Sequence, residues 1–187
     1  DLKYNTTYYY CTYVYQSGTY KYSSVQNFKT NNVTVEVSVG DITQTTATFS
    51  GKTEITESDA IEVGILYSTS NRLTATSSGV SRLTVTSLDN GTFSCKAEGL
   101  QHSTKYYYCY YACQDGSYTY GSVSELTTSS VTMNLSAESI TLTTVTFTGN
   151  VELTEEGLIE VGVLYSMGDN LTVDTSGVIK KVLTPDL

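Results

Sequence analysis

The chain contains the same stretch twice. LKYNTTYYYCTYVYQSGTYKYSSVQNFKT starts at Leu2, and LQHSTKYYYCYYACQDGSYTYGSVSELTT starts at Leu100, 98 positions later and without a gap. A second pair keeps the offset: VTVEVSVGDITQTTATFSGKTEITESDAIEVGILYS from Val33 and VTMNLSAESITLTTVTFTGNVELTEEGLIEVGVLYS from Val131. A fixed period of this length means one structural unit used repeatedly, so the fold must close within each repeat. The phase divides the 187 residues into three parts. Residues 1–30 are the last part of a unit, 31–128 are one whole unit, and 129–187 are the first part of a further one. The two partial units together lack only the counterpart of 90–98. Asp1 falls in mid-motif, as expected of a mature product or a stretch of a longer chain.

Within the complete unit, short alternating segments near 33–39, 45–53, 60–69, 80–87, 92–97, 104–114 and 117–127 read as strands. Turn residues separate them at Gly40-Asp41, Ser70-Asn71, Asp89-Asn90-Gly91 and Asp115-Gly116. Asn-Gly and Asp-Gly accept the positive φ of tight hairpins. Seven short strands without helical periodicity predict an all-β chain of tandem immunoglobulin-like β-sandwiches. Side chains alternate along a strand, so Tyr106, Tyr108, Tyr110 and Ala112 share one face, and Tyr107, Cys109, Tyr111 and Cys113 the other.

The pattern Leu100-x-x-x-Thr104-x-Tyr106-x-Tyr108-x-Tyr110-x-Ala112, repeated by Leu2, Thr6, Tyr8, Tyr10, Thr12 and Val14, resembles the E–F corner and F strand of fibronectin type III domains. The tyrosine run followed by a Gly turn, Tyr-Gly and Thr-Thr resembles the tandem fibronectin-III-like modules of Bacteroidetes surface proteins. The resemblance implies that residues 1–30 hold strands F and G and that 129–187 hold strands A to C′. It also makes Tyr8 and Tyr106 the structural tyrosine corner, and the outer face of strand F solvent-facing. The chain departs from the family in two ways. Tyr4 and His102 replace a corner proline, and there is no tryptophan, the usual position falling on Gly51 and Gly149. Tyr108 and Tyr110, with Tyr67 or Tyr165, are expected to fill that space, because an unfilled core is costly.

Chemistry is sparse. A net charge of −9 with ten Lys plus Arg leaves no basic face for nucleic acid. The spacings of Cys11, Cys95, Cys109 and Cys113 match no zinc site, so free thiols are expected. Cys109 and Cys113 would lie roughly 13 Å apart on one strand face, beyond disulfide reach. His102 is the one histidine, and the equivalent residue is Tyr4, so no nucleophile–base pair recurs and no enzyme activity is expected. Two acidic segments, with Glu54, Glu57, Asp59 and Glu62, and with Glu152, Glu155, Glu156 and Glu160, lack calcium-loop spacing and read as solvated rims. Neither a cofactor nor a metal is expected.

The candidate ligand surface is the outward aromatic row: Tyr9 and Tyr13, with Tyr107 and Tyr111, extended by Tyr15, Tyr20, Tyr22, Tyr118 and Tyr120. Such a row can stack sugar rings or meet a protein. The plainer account is cross-strand tyrosine pairing that stabilises the sheet. The partial units are expected to be a window on a longer array. The alternative is completion between molecules, head to tail, because the linkers at 30–32 and 128–130 are too short to span a domain. The expected function is a non-catalytic extracellular spacer or adhesive module on a bacterial surface. The alternatives are a surface glycan-binding module, or accessory domains of a secreted glycan-degrading enzyme.

Overall fold

The computed structural model describes residues 2–55, 61–152 and 160–183. Of the acidic residues considered above, Glu57, Asp59, Glu155 and Glu156 lie outside them. The described residues are all-β, with sixteen strands and no helix. No helix among them is therefore long and apolar enough to cross a membrane, which says nothing of a β-barrel. The chain divides into two compact units, Asp1–Ser129 and Ser130–Leu187.

In the first unit, residues 2–30 form β1 (Thr7–Tyr10), β2 (Tyr13–Gln16), β3 (Thr19–Tyr22) and β4 (Gln26–Lys29). β1 pairs with β4 and β2 with β3, both antiparallel. The complete module follows. Its first sheet is β5 (Val35–Gly40), β6 (Ala47–Thr53) and β9 (Thr92–Ala97), with β6 central. Its second sheet holds β7 (Glu62–Ser68), β8 (Ser81–Thr84), β10 (Lys105–Gln114), β11 (Ser117–Tyr120) and β12 (Ser124–Thr127). Here β10 lies between β7 and the β11/β12 pair. Both turn signals take the expected positive φ, 49° and 78° at Asn90-Gly91 and again at Asp115-Gly116, but only Asp115-Gly116 joins two paired strands, β10 and β11; β8 and β9, on either side of Asn90-Gly91, lie in different sheets.

Between the sheets sits one apolar core, drawn from alternate residues of both: Ala47, Phe49 and Phe93 facing Ile65, Tyr108 and Ala112. The ring of Phe49 packs 5.1 Å from that of Tyr108 and 6.4 Å from that of Tyr67. The space left by the missing tryptophan is filled differently from expectation. A Cβ on Gly51 would sit 2.2 Å from Phe93 Cζ, so Phe93, its cross-strand partner, covers that glycine rather than Tyr108 or Tyr110. Tyr110 instead lies over Gly121, whose added Cβ would meet its ring at 2.3 Å. There the expected single strand over 117–127 divides into β11 and β12.

The second unit pairs β13 (Thr132–Glu138) with β14 (Thr146–Glu152) and β15 (Val161–Tyr165) with β16 (Ile179–Leu183). Leu135 opposes Gly149 as Val37 opposes Gly51, so the register of the repeat is kept.

Candidate functional site

The candidate surface is the outer face of β10 and its equivalents β1 and β2. In residues 2–30, Tyr9, Tyr13, Tyr15, Tyr20 and Tyr22 are all exposed. The register Tyr13↔Tyr22 and Tyr15↔Tyr20 places four rings on one side of the β2–β3 hairpin. Centroids lie 5.7 Å apart for Tyr13–Tyr20, 4.7 Å for Tyr15–Tyr20 and 6.2 Å for Tyr20–Tyr22. This is a continuous aromatic row of the kind that cross-strand pairing builds.

In the complete module the same face is closed. Tyr111 was expected outward and available to a ligand; it is 0% exposed, while Tyr107 is half-buried. Alternation holds, because Tyr111 does point away from the main core. A second apolar layer then covers it: Leu66, Leu73, Cys109 and Tyr111 form a separate cluster, joined by Val80, Tyr118 and Tyr120. Leu73 and Val80 bracket the 74–79 loop, so the segment after β7 folds back over the sheet. Gly64, opposite Tyr111 in the ladder, makes room, since a Cβ there would stand 2.5 Å from the Tyr111 ring. Tyr111 and Cys109, also expected outward, are thus core residues of a second layer and not a ligand surface.

The Tyr111 hydroxyl is fully engaged. It donates to Glu62 Oε1 at 2.7 Å and lies 2.8 Å from Arg82 Nε, which donates to it, and 3.1 Å from Thr84 Oγ1. Arg82 also pairs with Glu62 and stacks 4.9 Å above the Tyr111 ring. Burial pushes the Tyr111 phenol up to about 12 from the ordinary 10.0, and the Glu62 carboxylate adds to the rise. Burial likewise pushes the Cys109 thiol up to about 11. Both groups are neutral when protonated. As pH climbs through the unfolded value the unfolded chain releases the proton first, so stability is lost as pH rises toward the folded value. Alkaline unfolding at stepped pH is therefore expected to show a decline beginning near the ordinary thiol range. Tyr111→Phe should flatten its upper part, worth about 2–3 kcal/mol between roughly pH 10 and 12. An unchanged slope in that variant would contradict the assignment.

The corner tyrosines behave alike in both copies. Tyr106 accepts the Gln101 N–H at 3.0 Å and Tyr8 the Lys3 N–H at 2.7 Å, each from the residue five positions back. Tyr4 reaches the complete module. Its N–H donates to Gln114 Oε1 at 3.2 Å, its hydroxyl lies 3.2 Å from the Ser117 carbonyl, and Lys3 pairs with Asp115 at 3.0 Å. Glu62 is held by Arg82 and Glu160 by Lys180, so both are ion-pair members. The four cysteines are free thiols, with Cys11 exposed and Cys109 buried.

No family model and no curated protein matches the chain. Solved structures do. The sensor domain of the anti-sigma factor RsgI4 in Pseudobacteroides cellulosolvens is 18% identical over 52% of this chain and 95% of that one, with a TM-score of 0.39. A computationally redesigned β-sandwich protein is 19% identical over 51% and 92%, with a TM-score of 0.38. The FN1–FN3 domains of chicken CNTN1 are 19% identical over 68% and 44%, with a TM-score of 0.36.

Proposed function

We propose that the chain belongs to a non-catalytic, extracellular array of fibronectin-III-like repeats, a spacer or adhesive stalk on a bacterial cell surface like the Bacteroidetes modules it resembles. The observation that carries this reading is the seam between successive repeats. Tyr4 and Lys3 lock the end of one repeat onto the β10–β11 turn of the next through two hydrogen bonds and an ion pair. A linker of a few residues backed by such contacts resists bending, which is what a spacer needs. The second reading, surface glycan or protein recognition, draws on the exposed row of Tyr13, Tyr15, Tyr20 and Tyr22. It no longer uses Tyr111.

A glycan array probed with the full chain separates the two. The spacer reading expects no signal above that of an unrelated β-sandwich. Saccharide binding that disappears in Tyr13→Ala/Tyr20→Ala, with the complete module's thermal transition unchanged, would replace it with the recognition reading.

A further inference from the structure

The turn before β9 sets a side-chain amide beside a backbone nitrogen able to attack it. We propose that Asn90-Gly91 is a self-modification site, at which Asn90 closes a succinimide with Gly91 and reopens as aspartate or isoaspartate. Asn90 is the chain's one asparagine followed by glycine. A bond forms between the Gly91 backbone nitrogen, which gives up its proton, and Asn90 Cγ. The Cγ–Nδ2 bond breaks and Nδ2 leaves as ammonia. Water then adds to one of the two ring carbonyls: opening at Cγ gives aspartate, and opening at the backbone carbonyl gives isoaspartate. Attacker and target belong to one short segment, so the step is intramolecular.

The turn leaves the pair free to react. It is closed by Asp89 and Thr92, which exchange backbone hydrogen bonds of 2.9 Å each, while the Gly91 N–H makes none among the described residues. Asn90 is exposed, and its Nδ2 donates only to the neighbouring Asp89 Oδ1, at 3.0 Å. Gly91 has no side chain to hinder approach to its nitrogen.

The fold itself demands this reactive pair. Asn90 and Gly91 take φ 49° and 78°, a region that asparagine and glycine tolerate best. A Cβ on Gly91 would stand 2.2 Å from the Thr53 carbonyl oxygen, so glycine is required there. Asp115-Gly116 takes the same φ values with a carboxylate in place of the amide, and so has no ammonia to lose.

Modification would loosen one end of the first sheet. The Thr53 N–H donates to the Gly91 carbonyl at 2.8 Å, just past the last rung of the β6–β9 ladder, Lys52↔Thr92. Isoaspartate lengthens the backbone inside the turn by a methylene, which breaks the Asp89–Thr92 exchange and the Thr53 bond. Either product also puts a carboxylate where Nδ2 donated to Asp89, leaving two acceptors facing each other. The modified module therefore melts earlier.

Hydroxylamine tests the site, because it attacks a succinimide and cuts the chain there. The folded full chain, held with hydroxylamine at mildly alkaline pH, is expected to yield fragments 1–90 and 91–187. Asn90→Gly, which suits the same φ and lacks the amide, should stay whole. Without hydroxylamine, the tryptic peptide from Leu83 to Lys96 should gain the mass of an amide-to-acid exchange before the peptide ending at Arg72, which carries Asn71. The gain should quicken as pH rises, since the attacking nitrogen must lose its proton. Chain converted at Asn90 should melt a few degrees below fresh chain, and equally aged Asn90→Gly should not shift. A folded chain that stays whole in hydroxylamine while the urea-unfolded chain is cut would overturn the proposal, because the native turn would then protect the pair. So would a Leu83–Lys96 peptide that gains mass no sooner than the Asn71 peptide, or converted chain that melts with the fresh.

Discussion

Tyr111→Ala is expected to cost the complete module about 3–5 kcal/mol, whereas Tyr13→Ala, at the same place in the repeat, changes stability by less than about 0.5 kcal/mol. The two residues have identical chemistry and equivalent strand positions. They differ in what lies over them: Tyr111 is 0% exposed and Tyr13 is 65% exposed. Removing the Tyr111 ring uncovers Gly64, empties the layer beneath Leu73, and leaves Glu62 and Arg82 without the phenol that bridges them. The cavity and the lost hydrogen bonds add in the same direction. Against the roughly 5–15 kcal/mol that holds a domain together, this is a large fraction. Calorimetry of each variant should show the main transition lowered by many degrees for Tyr111→Ala and unmoved for Tyr13→Ala. Equal shifts would mean that the outer layer contributes nothing.

Much of the architecture is readable from the residues because each signal is local. The 98-residue period sets the module, Asn90-Gly91 sets a tight turn and Asp115-Gly116 a hairpin, and the alternation along 105–114 sorts the tyrosines correctly into two sets. What alternation does not report is whether a set that points away from the core meets water. That depends on Leu73 and Val80, which lie in a segment without strand periodicity and are brought over β10 by the path of the chain after β7. Gly64 was the available signal: a glycine in mid-strand opposite a tyrosine marks a ring lying across the sheet. Gly51 carried the same message, and its partner Phe93 answers it from the neighbouring strand instead of a tyrosine from the facing sheet. The candidate ligand surface was therefore half legible. Tyr9 and Tyr13 are open, Tyr111 is closed, and no property of the side chains themselves distinguishes the two cases.

Cys11 and Cys109 occupy the same repeat position, between those tyrosines, and report the difference directly. Cys11 is exposed; Cys109 is buried, and its thiol is pushed up to about 11 from the ordinary 9.0. The thiolate is the reactive form, so this shift alone lowers the reactive fraction of Cys109 near neutral pH by on the order of a hundredfold, before steric exclusion is counted. Alkylation of the dilute native chain, followed by peptide mass spectrometry over time, should mark Cys11 early and Cys109 only as the module unfolds. If the two thiols are alkylated at the same rate in the native protein, the outer face of the complete module is not closed.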